Sequence, residues 1–215
     1  MSNIRIVKAS CNVIVAGDAG ARLVKPSEFF AERKEKVYHL LEFIGRKCNK
    51  TECKDSARFV RDRVRQGHLY LLEHFVFSAD IVCHRATSHQ LVRHRIGSYV
   101  QESQRVVDYD KELTVVIPEA MSDAGAEVLA GSAQDSYEQG YKKLRALGAA
   151  KELARLALPE ATAANIVATF NLAQWRHVFA ERVVNPSADP SIREVLKPLY
   201  DAATLAWPEV FALDF

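Results

Sequence analysis

From Phe75 to Cys83 the apolar residues Phe75, Phe77, Ala79, Ile81 and Cys83 fall on odd positions, while His74, Ser78, Asp80 and His84 take most of the even ones. Period-two alternation buries one face and wets the other, so this stretch reads as a half-buried strand that needs a second layer to cover it. Helical segments are available for that layer. Phe29, Phe30, Val37, Leu40, Leu41 and Ile44 recur at three-and-four spacing, predicting a helix over about 28–48 that Ser27 can cap. A second helix is expected over about 55–66, closed by Gly67.

The first twenty or so residues alternate apolar and polar (Ile4, Ile6, Val13, Val15) before Gly17-Asp18-Ala19-Gly20, which suggests one or two strands ending in a turn. Residues 85–95 read as a short helix. Residues 96–110 read as a loop with limited strand character, because Gly97, Ser98, Ser103 and Asp108 interrupt them. Helices are expected over about 123–147, 149–157, 160–184 behind Pro159 and 190–205 behind Pro190, with Gly148 and Asn185-Pro186-Ser187 as breaks. The expected class is α+β: a small antiparallel or mixed sheet early in the chain, packed with several long helices. Without an internal repeat or dividing linker, residues 1–215 are expected to form one domain.

At 48% hydrophobic, 215 residues can bury a substantial core without disulfides or metals. Lys and Arg total 29 against 27 Asp and Glu, so no global field demands nucleic acid or an anionic membrane, and any basic function must be local. No apolar run approaches the roughly 20 residues of a membrane span, and MSNIRIVKAS lacks a signal peptide's apolar centre; the cytoplasm is the expected compartment. Cys11, Cys48, Cys53 and Cys83 contain no C-x-x-C pair, which argues against a zinc ribbon or dithiol centre and for plain thiols in a reducing compartment. Neither G-x-G-x-x-G nor G-x-x-x-x-G-K-[ST] occurs, so a bound phosphate would be held mainly by side chains.

Local basicity is concentrated in residues 84–105, HRATSHQLVRHRIGSYVQESQR, where Arg85, Arg93, Arg95 and Arg105 face only Glu102 as countercharge. Gln90 lies one turn before Arg93 and His94, so an amide able to read a base edge sits beside a guanidinium able to fork onto phosphate oxygens. Ser103 and Arg105 follow on an irregular segment able to curl round a ligand. The plainer alternative is a solvated basic face. Metal binding is weaker still, because five-residue steps between His84, His89 and His94 rotate successive imidazoles by about 140° on a helix.

Arg93-His94-Arg95, seven residues, then Ser103-Gln104-Arg105 resembles the R-H-R-x7-S-x-R signature of flavin-dependent thymidylate synthases. His68, Glu73-His74, Gln90, Ala154-Arg155, Leu158-Pro159, Asn171 and Arg182 are similar to that family's pattern in its order, so the resemblance covers roughly residues 65–195. It implies C5 methylation of dUMP with methylenetetrahydrofolate as carbon donor and NADPH, through FAD, as reductant, in a homotetramer whose sites form where subunits meet.

Carried onto matching positions, the resemblance implies that Arg93, His94, Arg95, Gln101 and Asn171 contact flavin. It implies that Gln90, Arg93, Gln101, Ser103, Gln104, Arg105 and Arg155 hold the nucleotide, Arg105 and Arg155 being the natural phosphate partners. Arg182 would activate the pyrimidine: uracil C5 is a poor nucleophile until negative charge builds on the N3/O4 side, where a permanently protonated guanidinium stabilises it. No cysteine nucleophile is required. Tyr70, Val100, Gln101, Ala173 and Asn185-Pro186 depart from residues common in the family. A ribonucleotide (UMP) methylase of the same family and a nucleic-acid-binding module using residues 85–105 are the alternatives. Glu73 and His74 invite an acid/base reading, a structural role being preferred for the histidine, and Trp175, Phe179, Trp207 and Phe211 read as core or interface aromatics.

Overall fold

The computed structural model describes residues 3–17, 20–50 and 54–213. Its centre is an antiparallel sheet ordered β3-β2-β4-β7-β5, built from β2 (Ser10–Gly17), β3 (Gly20–Val24), β4 (Val76–His84), β5 (Ser98–Gln101) and β7 (Ala163–Asn171). A separate parallel pair joins β1 (Ile4–Val7) to β6 (Leu113–Val116). The expected alternation is present in β4: Phe77, Ala79, Ile81 and Cys83 are buried and the intervening residues are wetter. Part of the expected turn, residues 18 and 19, lies outside the described residues, as does Cys53.

Residues 160–184 are not one helix. They form strand β7, then α7 (Leu172–Phe179), then a π-helical turn over Ala180–Val184. Strand β7 pairs with β4 from Val76↔Asn171 to His84↔Ala163 and with β5 on its other edge. Its buried residues Ala164, Ile166, Ala168 and Phe170 fall at period two. Alanine favours helix locally, but pairing on both edges outweighs that preference. Strands are therefore not confined to the first half of the chain, although the α+β class and its antiparallel sheet stand.

Helix α1 (Pro26–Asn49) opens on Pro26, whose missing N–H costs nothing at a first helical position, and Ser27 does not cap it; Lys25 is the N-cap residue and makes no side-chain bond. Helix α2 (Ser56–Arg65) is capped by Asp55 and followed by Gly67 at φ 79°, in the left-handed region that favours glycine. Helix α3 (Arg85–Leu91) is capped by His84, whose Nδ1 accepts from Thr87 N, and it ends before residue 95. The 123–147 stretch is α4 (Asp123–Asp135), a π-helical turn over Ser136–Lys142 and α5 (Lys143–Ala146). Short α6 (Lys151–Ala154) continues as a 3-10 turn over Arg155–Ala157. Asp189 caps α8 (Pro190–Ala206), and α9 (Pro208–Phe211) follows.

The main core joins the sheet to α1, α2, α7, α8 and α9 through Phe30, Phe77, Trp175, Phe179, Trp207 and Phe211. The four aromatics expected in a core or interface are core. A second cluster, including Tyr109, Leu113, Ala133, Tyr137 and Tyr141, joins β6 to α4 and the π-helical turn after it. Cys11 and Cys83 are buried and Cys48 is exposed, all three with free thiols. No described helix is long and apolar enough to cross a membrane.

Candidate active site

After α3 the chain turns sharply, with Arg93 N donating to Gln90 O at 3.4 Å and His94 N to Leu91 O at 3.1 Å. The Tyr99 hydroxyl, half-buried on β5, ties this turn down: it lies 2.8 Å from Leu91 O and 2.7 Å from His94 O and donates its one proton between them. Burial pushes that phenol up to about 12, so it remains a donor at neutral pH. The turn faces His94 inward and leaves Arg93 and Arg95 exposed on either side.

Gly97 lets the turn lie against the core. A Cβ there would meet Phe170 ring carbons at 2.2 Å and Thr169 O at 3.0 Å. Gly97→Ala is expected to cost about 1–3 kcal/mol by overpacking. An equilibrium urea titration reads this as a lower midpoint; an unchanged midpoint would mean the turn is not pressed onto Phe170.

Inside the turn, Arg182 Nε donates to His94 Nε2 at 3.0 Å, and Arg182 Nη2 approaches Gln90 O at 3.5 Å. Because a guanidinium is always protonated, Nε2 must carry the lone pair and the imidazole proton sits on Nδ1. Burial first, then the charges of Arg182 and His177, lower the His94 pKa to about 4. His94 is therefore neutral at pH 7 and can accept from Arg182. His177 stands edge-on to it at 5.4 Å between ring centroids. Most of the Arg182 guanidinium remains available to a ligand.

Across β5, Gln101 Nε2 donates to Ser88 Oγ at 2.9 Å, and Ser88 Oγ donates to Arg85 O. This fastens the strand to α3. Beyond it, Ser103 Oγ accepts from Arg105 N at 3.3 Å while the Arg105 side chain is exposed. Arg155 lies on the 3-10 turn after α6, and its Nε donates to Glu152 O, the carbonyl rather than the carboxylate. Asn171 ends β7 instead of lying within a helix, and its Oδ1 accepts from Gln174 N at 2.8 Å to cap α7.

The expected residues thus form two groups. Gln90, His94 and Arg182 are in contact, with Arg93 and Arg95 beside them, and Asn171 lies just past the Ser98↔Thr169 pair at the same end of β5. Ser103, Gln104 and Arg105 follow the strand's other end, past Gln101↔Ile166. Among the described residues, neither Arg105 nor Arg155 makes a hydrogen bond or ion pair to the first group. Glu73 and His74 are exposed at the end of a 3-10 turn, Leu69–His74, and not on the strand edge.

Among the described residues the site's arginines are free of carboxylate partners: Arg93, Arg95, Arg105, Arg155 and Arg182 make no ion pair. Several arginines elsewhere do, as in Arg22–Glu28 and the two-pronged Arg145–Asp110 contact, while Arg176 and Arg193 give their side-chain hydrogen bonds to backbone carbonyls. Guanidiniums left unpaired, exposed at Arg93, Arg95 and Arg105 and half-buried at Arg155 and Arg182, are available to an anionic ligand in a nearly neutral chain.

The family model described as "thymidylate synthase complementing protein" matches residues 21–209. The chain belongs to the flavin-dependent thymidylate synthase family. It is 36% identical over 197 residues to the flavin-dependent thymidylate synthase of Mycobacterium tuberculosis (strain CDC 1551 / Oshkosh), covering 80% of this chain and 78% of that one. It is 34% identical over 199 residues to the enzyme of the same name from Mycobacterium sp. (strain JLS), with the same two shares covered. Among solved structures it is similar to the UMP/dUMP methylase PolB from Streptomyces cacaoi bound with 5-Br UMP. That likeness has a TM-score of 0.70 at 18% identity, covers 98% of this chain and 95% of the other, and shows the shared fold.

A flavin dinucleotide has a pyrophosphate and a flat, largely apolar ring, and the donor set at the turn suits both. Arg93 and Arg95 offer unpaired guanidiniums, while Ile96 and Val100 present exposed apolar side chains close by in sequence. The residues present therefore fit the cofactor for which this family is named. Three residues of the site's framework have no sequence signal: His177 sits inside a stretch whose pattern predicts continuous helix, and nothing in the sequence distinguishes Ser88 or Tyr99 as bracing residues.

Proposed function

We propose that this protein methylates C5 of dUMP to give dTMP, taking carbon from methylenetetrahydrofolate and reducing equivalents from NADPH by way of FAD. The observation that carries the reading is the Arg182–His94 contact: a permanent cation held by a neutral imidazole, beside guanidiniums with no carboxylate of their own. FAD, when bound, supplies hydride chemistry that no side chain can. Arg93, His94, Arg95, Gln101 and Asn171 hold it; Gln90, Arg93, Gln101, Ser103, Gln104, Arg105 and Arg155 orient the nucleotide. Arg182 stabilises the negative charge that builds on the N3/O4 side of uracil as C5 becomes nucleophilic.

Thiol catalysis is not needed for this scheme, and two of the thiols are unsuited to it. Burial raises Cys83 to about 12, and it raises buried Cys11 still more clearly, so both stay protonated. Arg105 follows the end of β5 opposite to the His94 turn, an arrangement that fits a homotetramer in which neighbouring subunits complete each site. Leu153 and Leu156, exposed beside Arg155, give such a contact apolar surface. Light scattering is expected to return four chains per particle. The cytoplasm, where these substrates are made and used, is the proposed location.

The deciding assay supplies FAD, NADPH and methylenetetrahydrofolate and compares dUMP with UMP, since the similar fold of PolB belongs to a protein named for both. Flavin absorbance and methylated dUMP are expected; methylation of UMP alone would assign the ribonucleotide instead. Arg105→Ala is expected to raise KM for dUMP by about 10- to 100-fold, the worth of a charge-assisted phosphate contact. An unchanged KM would move the phosphate elsewhere.

A further inference from the structure

Arg182 is delivered by an unusual piece of backbone. The helix carrying it departs from α geometry at Ala180 and ends as a π-helical turn, closed by Asn185 N donating to Ala180 O at 2.9 Å. Reaching back five residues instead of four changes the helix face on which later side chains emerge, and Arg182 is inside that turn. Beyond it, Asn185 leaves helical geometry at ψ 119° and Pro186 has no N–H to give.

We propose that Arg193, on α8, is a positioning residue that sets the aim of Arg182 by locking this turn from outside. Its Nε donates to Val183 O at 3.1 Å, and its Nη2 donates to Asn185 O at 2.7 Å and Pro186 O at 3.1 Å. One planar guanidinium thus gathers three carbonyls from the four residues following Arg182. Among the described residues it makes no ion pair, so its hydrogen bonding is directed to this backbone. Its own base is fixed: Arg193 N donates to Asp189 O, and Asp189 caps α8 by accepting from Ser191 N at 2.8 Å.

The geometry assigns a division of labour. His94 holds the Arg182 side chain while Arg193 holds the backbone that follows Arg182, and the two ties come from distant parts of the chain. Lysine could not replace the second tie in full, because an ammonium is a point donor and does not span three carbonyls as a rigid fork does. The inference deepens the proposed reaction and rests on that reading for its kinetic consequence, but the ordering of Arg182 can be measured without turnover.

The test compares wild type, Arg193→Lys and Arg193→Ala as full-length, flavin-loaded protein. Misaiming a catalytic group by about 1 Å costs on the order of 100-fold, so Arg193→Ala is expected to lose about 10- to 100-fold in kcat, with KM for dUMP changing less than about threefold. Arg193→Lys should recover part of the loss. In parallel, an NMR titration of the His94 imidazole is expected to move upward in Arg193→Ala, because the Arg182 charge that helps depress it withdraws.

A kcat within twofold of wild type, or a loss with the His94 titration unmoved, overturns the inference and leaves Arg193 a structural brace. If Arg193→Ala does not fold, the same readouts on Arg193→Lys decide. If wild type makes no methylated product, the proposed reaction fails, and the His94 titration alone decides the positioning claim.

Discussion

Arg182→Ala is expected to lower kcat by on the order of 100- to 1,000-fold while bound flavin is retained. The guanidinium uses one N–H on His94 and a long contact on Gln90, leaving its remaining donors for a ligand. Truncation removes both the charge that supports the activated pyrimidine and the donor that His94 accepts. Arg182→Lys should be only a partial rescue, since one ammonium cannot bond His94 and flank a planar ring edge together. Single-turnover kinetics with a flavin absorbance check separate the chemical step from cofactor loss. Near-normal kcat in Arg182→Ala would remove this residue from the reaction. Titration of His94 gives a second readout: without the Arg182 charge its pKa should rise from about 4, though burial still holds it below the ordinary imidazole value.

The residues of that site were more legible in the sequence than their arrangement. The R-H-R and S-Q-R triplets are local patterns, and the strand carrying Phe77 to Cys83 announces itself by alternation. Strand β7 does not, because its small residues suit a helix in isolation and become strand only by pairing with β4 and β5, both far away in sequence. A continuous helix there would put Asn171 in a helix interior, whereas it is the N-cap of α7, and would give no sign that His177 stands beside His94. The π-helical turn is equally invisible to periodicity. The carbonyls at its end are collected by Arg193 of another helix, an interaction that has no local sequence signal.

Trp175→Ala is expected to destabilise the fold by about 3–5 kcal/mol, the usual cost of emptying a large aromatic site. Trp175 is fully buried, stacked on Phe77 at 4.9 Å, edge-on to Phe170 at 4.7 Å and stacked on Phe179 at 5.5 Å, and its Nε1 donates to Phe77 O at 3.3 Å. Phe77 and Phe170 are register partners in β4 and β7, so one indole fastens α7 to the strand pair at the middle of the sheet. Such a loss is a large share of the roughly 5–15 kcal/mol that keeps a domain folded. At about 2–4 °C per kcal/mol for a chain of this size, the thermal midpoint should fall by on the order of 10 °C. Trp175→Phe, which keeps a ring and loses the Nε1 bond, should cost distinctly less. Since α7 leads directly into the turn bearing Arg182, loosening it should also lower kcat in the fraction that remains folded. A midpoint within a degree or two of wild type in Trp175→Ala would show that the sheet does not depend on this contact to hold the helix that aims the site.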